Sequence, residues 1–576
     1  MSLADVDLNA LRRFLDDAAP RGRTMLLPAL HYAQSLYGWL PEDVQREISS
    51  ALLVPLADVH GVIAFYTMFY NEPTARRVVR ICEDPACQLR DSAGVMEAVS
   101  AELGLQVGET SADGQVTLEY VPCLGMCEHA PCALNGARPA GNLTPTDIPA
   151  FLNNTYPEPD PKIYGEPRLT LVRAGIVDPT SLPDYETHGG FQDLRRALGM
   201  KPDEIIALLK DSGIVGRGGA MFPLGLKWDF TRKAPGTPAQ KHIIANADES
   251  EPGTFKDRVL MEQDPFSLIE AMLLAAYAIG AENGWIFVRG EYPRSHRRLA
   301  QAIAQARAAG YLGRHIMGRD DFHFDIELRL GAGAYICGEE TALFEAIEGK
   351  RGFPRIKPPF PTTHGLFQQP TAINNVETLV AALTVIRVGL DTWRSHGTDR
   401  SPGTKWFCLS GDIAKPGLYE LPFGLTINEL IARGGGVPGN KAVQAVLVGG
   451  AAGAFIGPEL LDTPLTYEDA RAADFPLGSG VIMVFDESAD LRQTLYQLSR
   501  FFAHESCGKC FPCQMGTQRQ MEILRQAAHN GGPRPGDRQT LLDIGFTMTE
   551  TSLCGLGQTA AAAVMSALRR WPELLP

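Results

Sequence analysis

Glu505-Ser-Cys507-Gly-Lys-Cys510-Phe-Pro-Cys513, followed by Ser552-Leu-Cys554-Gly, decides how the rest of the chain is read. Three thiolates at C-x2-C-x2-C spacing fold around one side of a cubane cluster, and a distant fourth completes four cysteine ligands. The Gly and Pro between them permit a tight loop that points backbone N–H groups at the sulfurs, donors that help set a reduction potential. Structural zinc also takes four cysteines. Zinc knuckles, however, pair two C-x2-C units, whereas here three cysteines crowd together and one stands apart. An iron–sulfur cluster is the favoured reading, with zinc as the alternative.

Working outward, the chain around this motif is helical from Leu491 on. Residues 404–488 read as short strands and turns, such as Trp406-Phe-Cys-Leu-Ser-Gly-Asp, forming an α+β insert. Residues 162–403 are Gly-rich with alternating strands and helices, the pattern of an open α/β sheet. Tyr156-Pro-Glu-Pro-Asp-Pro is a stiff linker over 156–161. Ahead of it, the period-two segment Arg77-Val-Val-Arg-Ile-Cys, a helix over Ser92–Leu103 and a strand over Val116–Val121 predict a small α/β domain at 74–155. Residues 1–73 read as a helical bundle, with Pro41-Glu-Asp opening one helix and a further helix running from Ala57 to Tyr70. The fold class is therefore α/β multidomain, with the last four cysteines on a helical segment at 489–576.

A second cysteine set is Cys82-Glu-Asp-Pro-Ala-Cys87 with Cys123-Leu-Gly-Met-Cys127. Both pairs follow predicted strands directly, so two loops at one end of a small sheet can meet, and four thiolates from two loops suit a binuclear cluster. Zinc or buried free thiols are the alternatives. Cys132, Cys337 and Cys408 fall outside both sets, and Cys132 reads as a bystander.

Four further stretches carry polar chemistry. Gly216-Arg-Gly-Gly-Ala-Met-Phe-Pro-Leu-Gly-Leu-Lys-Trp lets backbone N–H groups approach a phosphate, with Arg217 and Lys227 to neutralise it. It fits neither the Walker A pattern nor the dinucleotide fingerprint. Asn246-Ala-Asp-Glu-Ser-Glu-Pro-Gly is dense in short polar groups that suit a flavin edge and ribityl chain, or a plain solvated turn. Gly331-Ala-Gly-Ala-Tyr-Ile-Cys-Gly-Glu-Glu-Thr ends in adjacent carboxylates, costly unless solvated or bonded to ligand hydroxyls. Asn374-Asn-Val-Glu-Thr is another polar cluster.

Composition sets outer bounds. The 576 residues include 53 basic and 67 acidic side chains, a net charge of −14 that argues against a nucleic-acid groove. The start is acidic rather than a secretory signal, and the longest apolar run, 271–280, is too short to span a bilayer. On those two grounds the chain is expected to be cytoplasmic, and in such a reducing compartment its eleven cysteines read as ligands or free thiols.

Together these motifs resemble the NADH-binding flavoprotein subunit of respiratory complex I (51 kDa-like), fused behind a copy of its 24 kDa-like thioredoxin-fold [2Fe-2S] subunit. The carrying residues are 216–228, 246–258, 331–341, Lys357-Pro-Pro-Phe-Pro, Asn374-Asn-Val-Glu-Thr and 505–513 with Cys554. In front of the linker they are the four cysteines with Leu124-Gly-Met and Ala130-Pro. The same module occurs in NAD-dependent formate dehydrogenases and electron-bifurcating relatives, and the fused form is similar to the diaphorase subunit of NAD-reducing hydrogenases.

The resemblance implies a thioredoxin-like domain, a Rossmann-like FMN/NADH domain, a ubiquitin-like insert and a helical [4Fe-4S] domain. It implies FMN lined by Gly216, Arg217, Gly218, Lys227, Asn246, Asp248, Glu249, Ser250, Gly338, Glu339, Asn374 and Asn375. NADH would stack on Phe222 and Phe230, with Lys227, Glu251, Glu340 and Lys357 nearby. Cys507, Cys510, Cys513 and Cys554 would hold a [4Fe-4S] cluster, and Cys82, Cys87, Cys123 and Cys127 a [2Fe-2S] cluster. An acid at Glu340 would favour NADH over NADPH. The activity implied is hydride transfer between NAD(H) and FMN, then single-electron transfer through the clusters to or from at least one further iron–sulfur subunit. A zinc-binding nucleotide protein and an inactive scaffold are the competing readings. Met221, Leu224, Phe344, Ala346 and Gln514 depart from the family pattern. Met221 and Leu224 border the expected nicotinamide pocket. Gln514 replaces a usual Arg, which should lower the neighbouring cluster potential.

Overall fold

The alternating segment at 77–82 pleats into a strand, Arg77–Cys82, with every side chain from Val78 on buried. It pairs in parallel with Val116–Val121 and antiparallel with Cys132–Asn135, which pairs in turn with Arg138–Gly141. Parallel neighbours need a crossover, and the helix Ser92–Leu103 supplies it. Asp91 accepts the Gly94 N–H at its start, and Gly104 closes it in a left-handed conformation. Val95 and Val99 pack on Val79, Ile81 and Leu118 to make a small core of their own.

This computed structural model describes residues 7–529 and 531–576, so the first six residues of the acidic start lie outside the described residues. The helices Asn9–Ala18, Leu26–Tyr37, Glu42–Leu52 and Leu56–Ile63 bury Leu11, Leu15, Leu30, Ile48 and Val59 against one another. Pro41 precedes Glu42 and Asp43 in the first turn, as its sequence suggests. The helix expected from Ala57 to Tyr70 stops at Ile63. Beyond it the Thr67 and Met68 N–H groups bond the carbonyls of Gly333 and Ala332 at 3.1 and 2.9 Å. Backbone bonds to a distant glycine-rich loop replace the helical ones, a tertiary override of local apolar spacing.

The long middle stretch builds a wholly parallel sheet in the order Asp325–Leu330, Asn283–Val288, His242–Ala247, Thr371–Asn375. The run 271–280 lies within the helix Pro265–Ile279 and its closing Gly280, buried behind this sheet. The fully buried Glu270 of this helix accepts N–H bonds from Phe191 and Leu194 and the Tyr185 hydroxyl, which offsets the cost of burying it. Among the described residues no helix is long and apolar enough to cross a membrane.

A six-stranded mixed sheet follows, built from Thr404–Gly411, Gly417–Pro422, Val443–Val448, Ala454–Ile456 and Val481–Asp486. Its edge is completed by Ile163–Tyr164. That pair, grouped with the long α/β stretch on sequence grounds, belongs to this sheet because it pairs with Leu418 and Tyr419. The helices Leu491–Glu505, Phe511–His529, Asp537–Thr551 and Ala562–Arg570 pack as the closing bundle.

Candidate functional site

Ligands of open parallel sheets sit beyond the carboxyl ends of the strands. Here Asn246 and Asn375 are register partners at those ends, with Asn374 beside Ala245. Two contiguous cavities of about 620 and about 430 Å³ open above them, sharing Gly218, Asn246, Gly338, Glu339, Asn375 and Gly555. Side-chain bonds fix the wall. Trp228 Nε1 donates to Asn374 Oδ1 at 3.0 Å, Asn246 Nδ2 to the Gly338 carbonyl at 2.8 Å, and Lys227 Nζ to the Ile373 carbonyl at 2.9 Å. A Cβ on Gly218 would lie 3.2 Å from Asn375 Cβ, so glycine there lets the loop close on the strand end.

The outer cavity is lined by Phe222, Phe230, Glu340 and Lys357, expected at NADH, and also by Gly216, Lys227 and Asn374, expected at FMN and absent from the inner lining. It also holds Phe360, which the sequence reading quoted inside a motif without giving it a role. Phe222, Phe230 and Phe360 are 42, 48 and 57% exposed, three aromatic rings left open at one mouth where apolar side chains ordinarily bury. Lys357 Nζ lies 2.7 Å from Glu340 and 2.8 Å from Glu339.

The inner cavity is lined by Asp248, Glu249, Ser250 and Glu251. Glu251, expected beside NADH, faces this inner space and accepts the Ala452 N–H at 2.9 Å. Burial pushes Glu251 up to about 7 and Asp248 up to about 8. One Asp248 oxygen, buried at the atom level, has no partner, a site for a ligand donor. Glu249 accepts N–H bonds from Asp257 and Arg258, and burial with the nearby Asp257 carboxylate raises its pKa. Lys256 and Asp257, neither singled out by sequence, grip Asn375 through its Oδ1 at 2.9 Å and Nδ2 at 2.6 Å.

Arg217 is a correction. Expected to neutralise a phosphate, its side chain is fully buried and lines neither cavity. It donates to the Thr404 carbonyl at 2.7 Å, lies 3.5 Å from Glu377 and stacks over Phe423. A guanidinium buried this deeply needs a fixed carboxylate, and Glu377 supplies it.

The two cysteine sets gather as loops at either side. Cys123 and Cys127 sulfurs are 3.5 Å apart, and the Gly125 N–H points at Cys123 Sγ at 3.3 Å. Cys82 and Cys87 lie within ligand reach of each other. Cys132, the expected bystander, stands 3.5 Å from Cys87. In the C-terminal set, burial and then Cys510, Cys554 and Cys507 push the Cys513 thiol up to about 12. Backbone N–H groups of Lys509 face Cys507, and those of Leu556 and Gly557 face Cys554. Such convergent thiols fit iron–sulfur chemistry once deprotonated by metal.

The walls tie cavity to clusters. Gly555, next to Cys554, lines both cavities. On the other side the Cys123–Cys127 loop is clamped by Arg258, whose Nε reaches the Gly125 carbonyl at 2.6 Å. Gly125 has φ +62°, and a Cβ there would fall 2.0 Å from the Tyr292 hydroxyl, so no other residue fits this contact.

A strand-end cavity with glycine loops, amide donors and open aromatic rings, flanked by two thiol sets, defines a flavin- and iron–sulfur-carrying nucleotide oxidoreductase. The chain belongs to the family of complex I NADH-binding flavoprotein subunits, in the form fused to a thioredoxin-like [2Fe-2S] domain. Residues 209–384 match the family model described as the Nuo51 FMN-binding domain. Residues 13–156 match the thioredoxin-like [2Fe-2S] ferredoxin, and 493–575 the NADH-ubiquinone oxidoreductase-F iron-sulfur binding region. It is 46% identical over 409 residues to an NADH-quinone oxidoreductase subunit of Rhizobium meliloti (strain 1021), spanning 70% of this chain and 96% of that one. The alpha subunit of the NAD-reducing hydrogenase HoxS of Cupriavidus necator is 35% identical over 568 residues, 96% of this chain and 91% of its own length. A crystal structure of an NAD+-reducing [NiFe]-hydrogenase in the H2-reduced state superposes with TM-score 0.85 at 33% identity, covering 96% of this chain and 92% of that chain. The protein is thus an NADH-binding FMN flavoprotein with [2Fe-2S] and [4Fe-4S] domains and an electron-transfer role.

Proposed function

We propose that FMN lies in the inner cavity and extends past the shared wall to Gly216, Lys227 and Asn374, that NADH fills the outer mouth, and that Cys507, Cys510, Cys513 and Cys554 bind the [4Fe-4S] cluster and Cys82, Cys87, Cys123 and Cys127 the [2Fe-2S] cluster. The observation that carries this reading is Gly555. One residue beyond a cluster cysteine, it forms wall in both cavities, so cluster and ligand share a boundary. Bound FMN supplies the conversion between a hydride pair and single electrons. The chain's residues orient. Phe222, Phe230 and Phe360 offer stacking faces to the dinucleotide. Asn246, Asn374 and Asn375 present fixed amides, and Lys227 places a positive charge on the outer-cavity wall. Glu340 meets the adenosine ribose hydroxyls and, paired with Lys357, disfavours an added phosphate.

The partner is a further iron–sulfur subunit of a larger redox complex. Phe511, Met515, Phe546 and Leu553 are exposed around the C-terminal cysteines, an apolar face suited to such docking. The module is placed in the cytoplasm and meets a membrane only through partners, its cysteines serving as cluster ligands or thiols rather than disulfides.

The anaerobically purified chain should show flavin bands over broad iron–sulfur absorption, contain acid-labile sulfide and reduce an artificial dye with NADH. A colourless protein would favour zinc and reject this reading. Colour without NADH-dependent dye reduction would leave an inactive scaffold.

A further inference from the structure

Five cysteines, not four, converge at the N-terminal cluster loops. The strand pairing Ile81↔Ala133 sets Cys82 opposite Cys132 one step further on, so register alone places them side by side. The short helix Pro85–Gln88 then brings Cys87 back over both. The three sulfurs of Cys82, Cys87 and Cys132 all lie within 4.8 Å of one another. Cys87 and Cys132 are 3.5 Å apart, the same spacing as Cys123 and Cys127. Two sulfurs each about 2.3 Å from one tetrahedral metal stand about 3.8 Å apart, so either pair can share an ion. Cys132 is 1% exposed and packs with Cys82, Cys87, Leu124, Met126 and Leu134. Among the described residues no carboxylate or imidazole joins these three sulfurs within that distance, and the buried Asp84 carboxylate faces Cys123 instead.

We propose that Cys132 is a reserve ligand of the [2Fe-2S] site, able to take the place of Cys87 on the iron it shares with Cys82. The inference rests on the binuclear assignment made above. The exchange is balanced: the iron–sulfur bond to Cys87 breaks, one to Cys132 forms, Cys132 releases a proton and Cys87 takes one up. No electron is transferred. Such exchange would keep the cluster bound when Cys87 is displaced or replaced.

The test is electron paramagnetic resonance of the dithionite-reduced full-length chain, purified anaerobically, with flavin content and the [4Fe-4S] signal of each sample reporting folding. C132A should keep the [2Fe-2S] signal. C87A should keep it with shifted g values, and C87A/C132A should lose it. If C87A loses the signal as completely as the double variant, the inference is overturned and Cys132 is a core thiol. Absence of the signal from the unmodified chain would instead overturn the binuclear assignment itself. Should C87A not fold, C87S compared with C87S/C132A decides. A signal that changes on removal of Cys132 supports the exchange, and one indifferent to it rejects the exchange.

Discussion

Arg289 donates to the carbonyl of Cys123 at 2.7 Å and to the carbonyl of Glu249 at 2.8 Å, so one buried guanidinium joins the N-terminal cluster loop to the inner cavity wall. Glu291 pairs with it at 2.9 Å. Arg289→Gln removes a positive charge beside the cluster, and the [2Fe-2S] midpoint potential should fall in a titration followed by electron paramagnetic resonance. It also leaves Glu291 without its partner, which should cost about 3–5 kcal/mol of stability in thermal unfolding. An unchanged potential with full flavin content would mean that Arg289 only braces the loop.

Glu340 and Lys357 form an ion pair at the mouth of the outer cavity. Glu340→Gln removes the charge that opposes a ribose phosphate and leaves Lys357 paired with Glu339 alone. The ratio of kcat/KM for NADH over NADPH should fall by about tenfold, the equivalent of about 1.4 kcal/mol. A ratio that stays put places cofactor discrimination elsewhere.

Phe360 is the most exposed of the three rings at that mouth. Phe360→Ala should raise KM for NADH by up to about tenfold, from the loss of one stacking face. Flavin content and dye reduction at saturating NADH should hold, because the ring lines the outer cavity alone. Loss of flavin from this variant would contradict the two-cavity assignment.

Glu251 carries a pH prediction. Its folded pKa is raised from 4.5 to about 7, so in that window the folded chain binds more protons than the unfolded chain. Stability of the flavin-free protein should therefore fall as pH rises from about 4.5 to about 7 and level off above. Glu251→Gln should flatten that part of the profile in urea unfolding. Water entering the open cavity reduces the size of the effect without changing its sign. Asp248 adds a slope of the same sign running to about 8.

Much of this was legible residue by residue. The strands Arg77–Cys82 and Val116–Val121 and the helix Ser92–Leu103 follow from period-two and helical spacing, because each buries one face of a small local core. The glycine and amide stretches pointed to the cavities because a phosphate or flavin needs close backbone and fixed donors, and those needs are written locally. Arg217 misled for the same reason. Its glycine neighbours suggested an anion, but the choice between ligand and Glu377 belongs to a segment far along the chain. The helix past Ile63 failed likewise, since its competitor was a carbonyl row at 332–333.

The sequence by itself determined which chemistry this protein can hold: two sets of thiols at cluster spacing, glycine loops for a nucleotide, and three sheet-forming stretches with their turns. Only the tertiary structure decided which of those groups meet. It set Arg289 between the Cys123 loop and the cavity, opened Phe360 beside Phe222 and Phe230, and brought Cys132 beside Cys82 and Cys87. The physical reason is range. Ligand type and strand period are encoded over a few neighbouring residues, whereas a contact between residues such as Cys123 and Arg289 depends on how whole sheets pack, which no local spacing records.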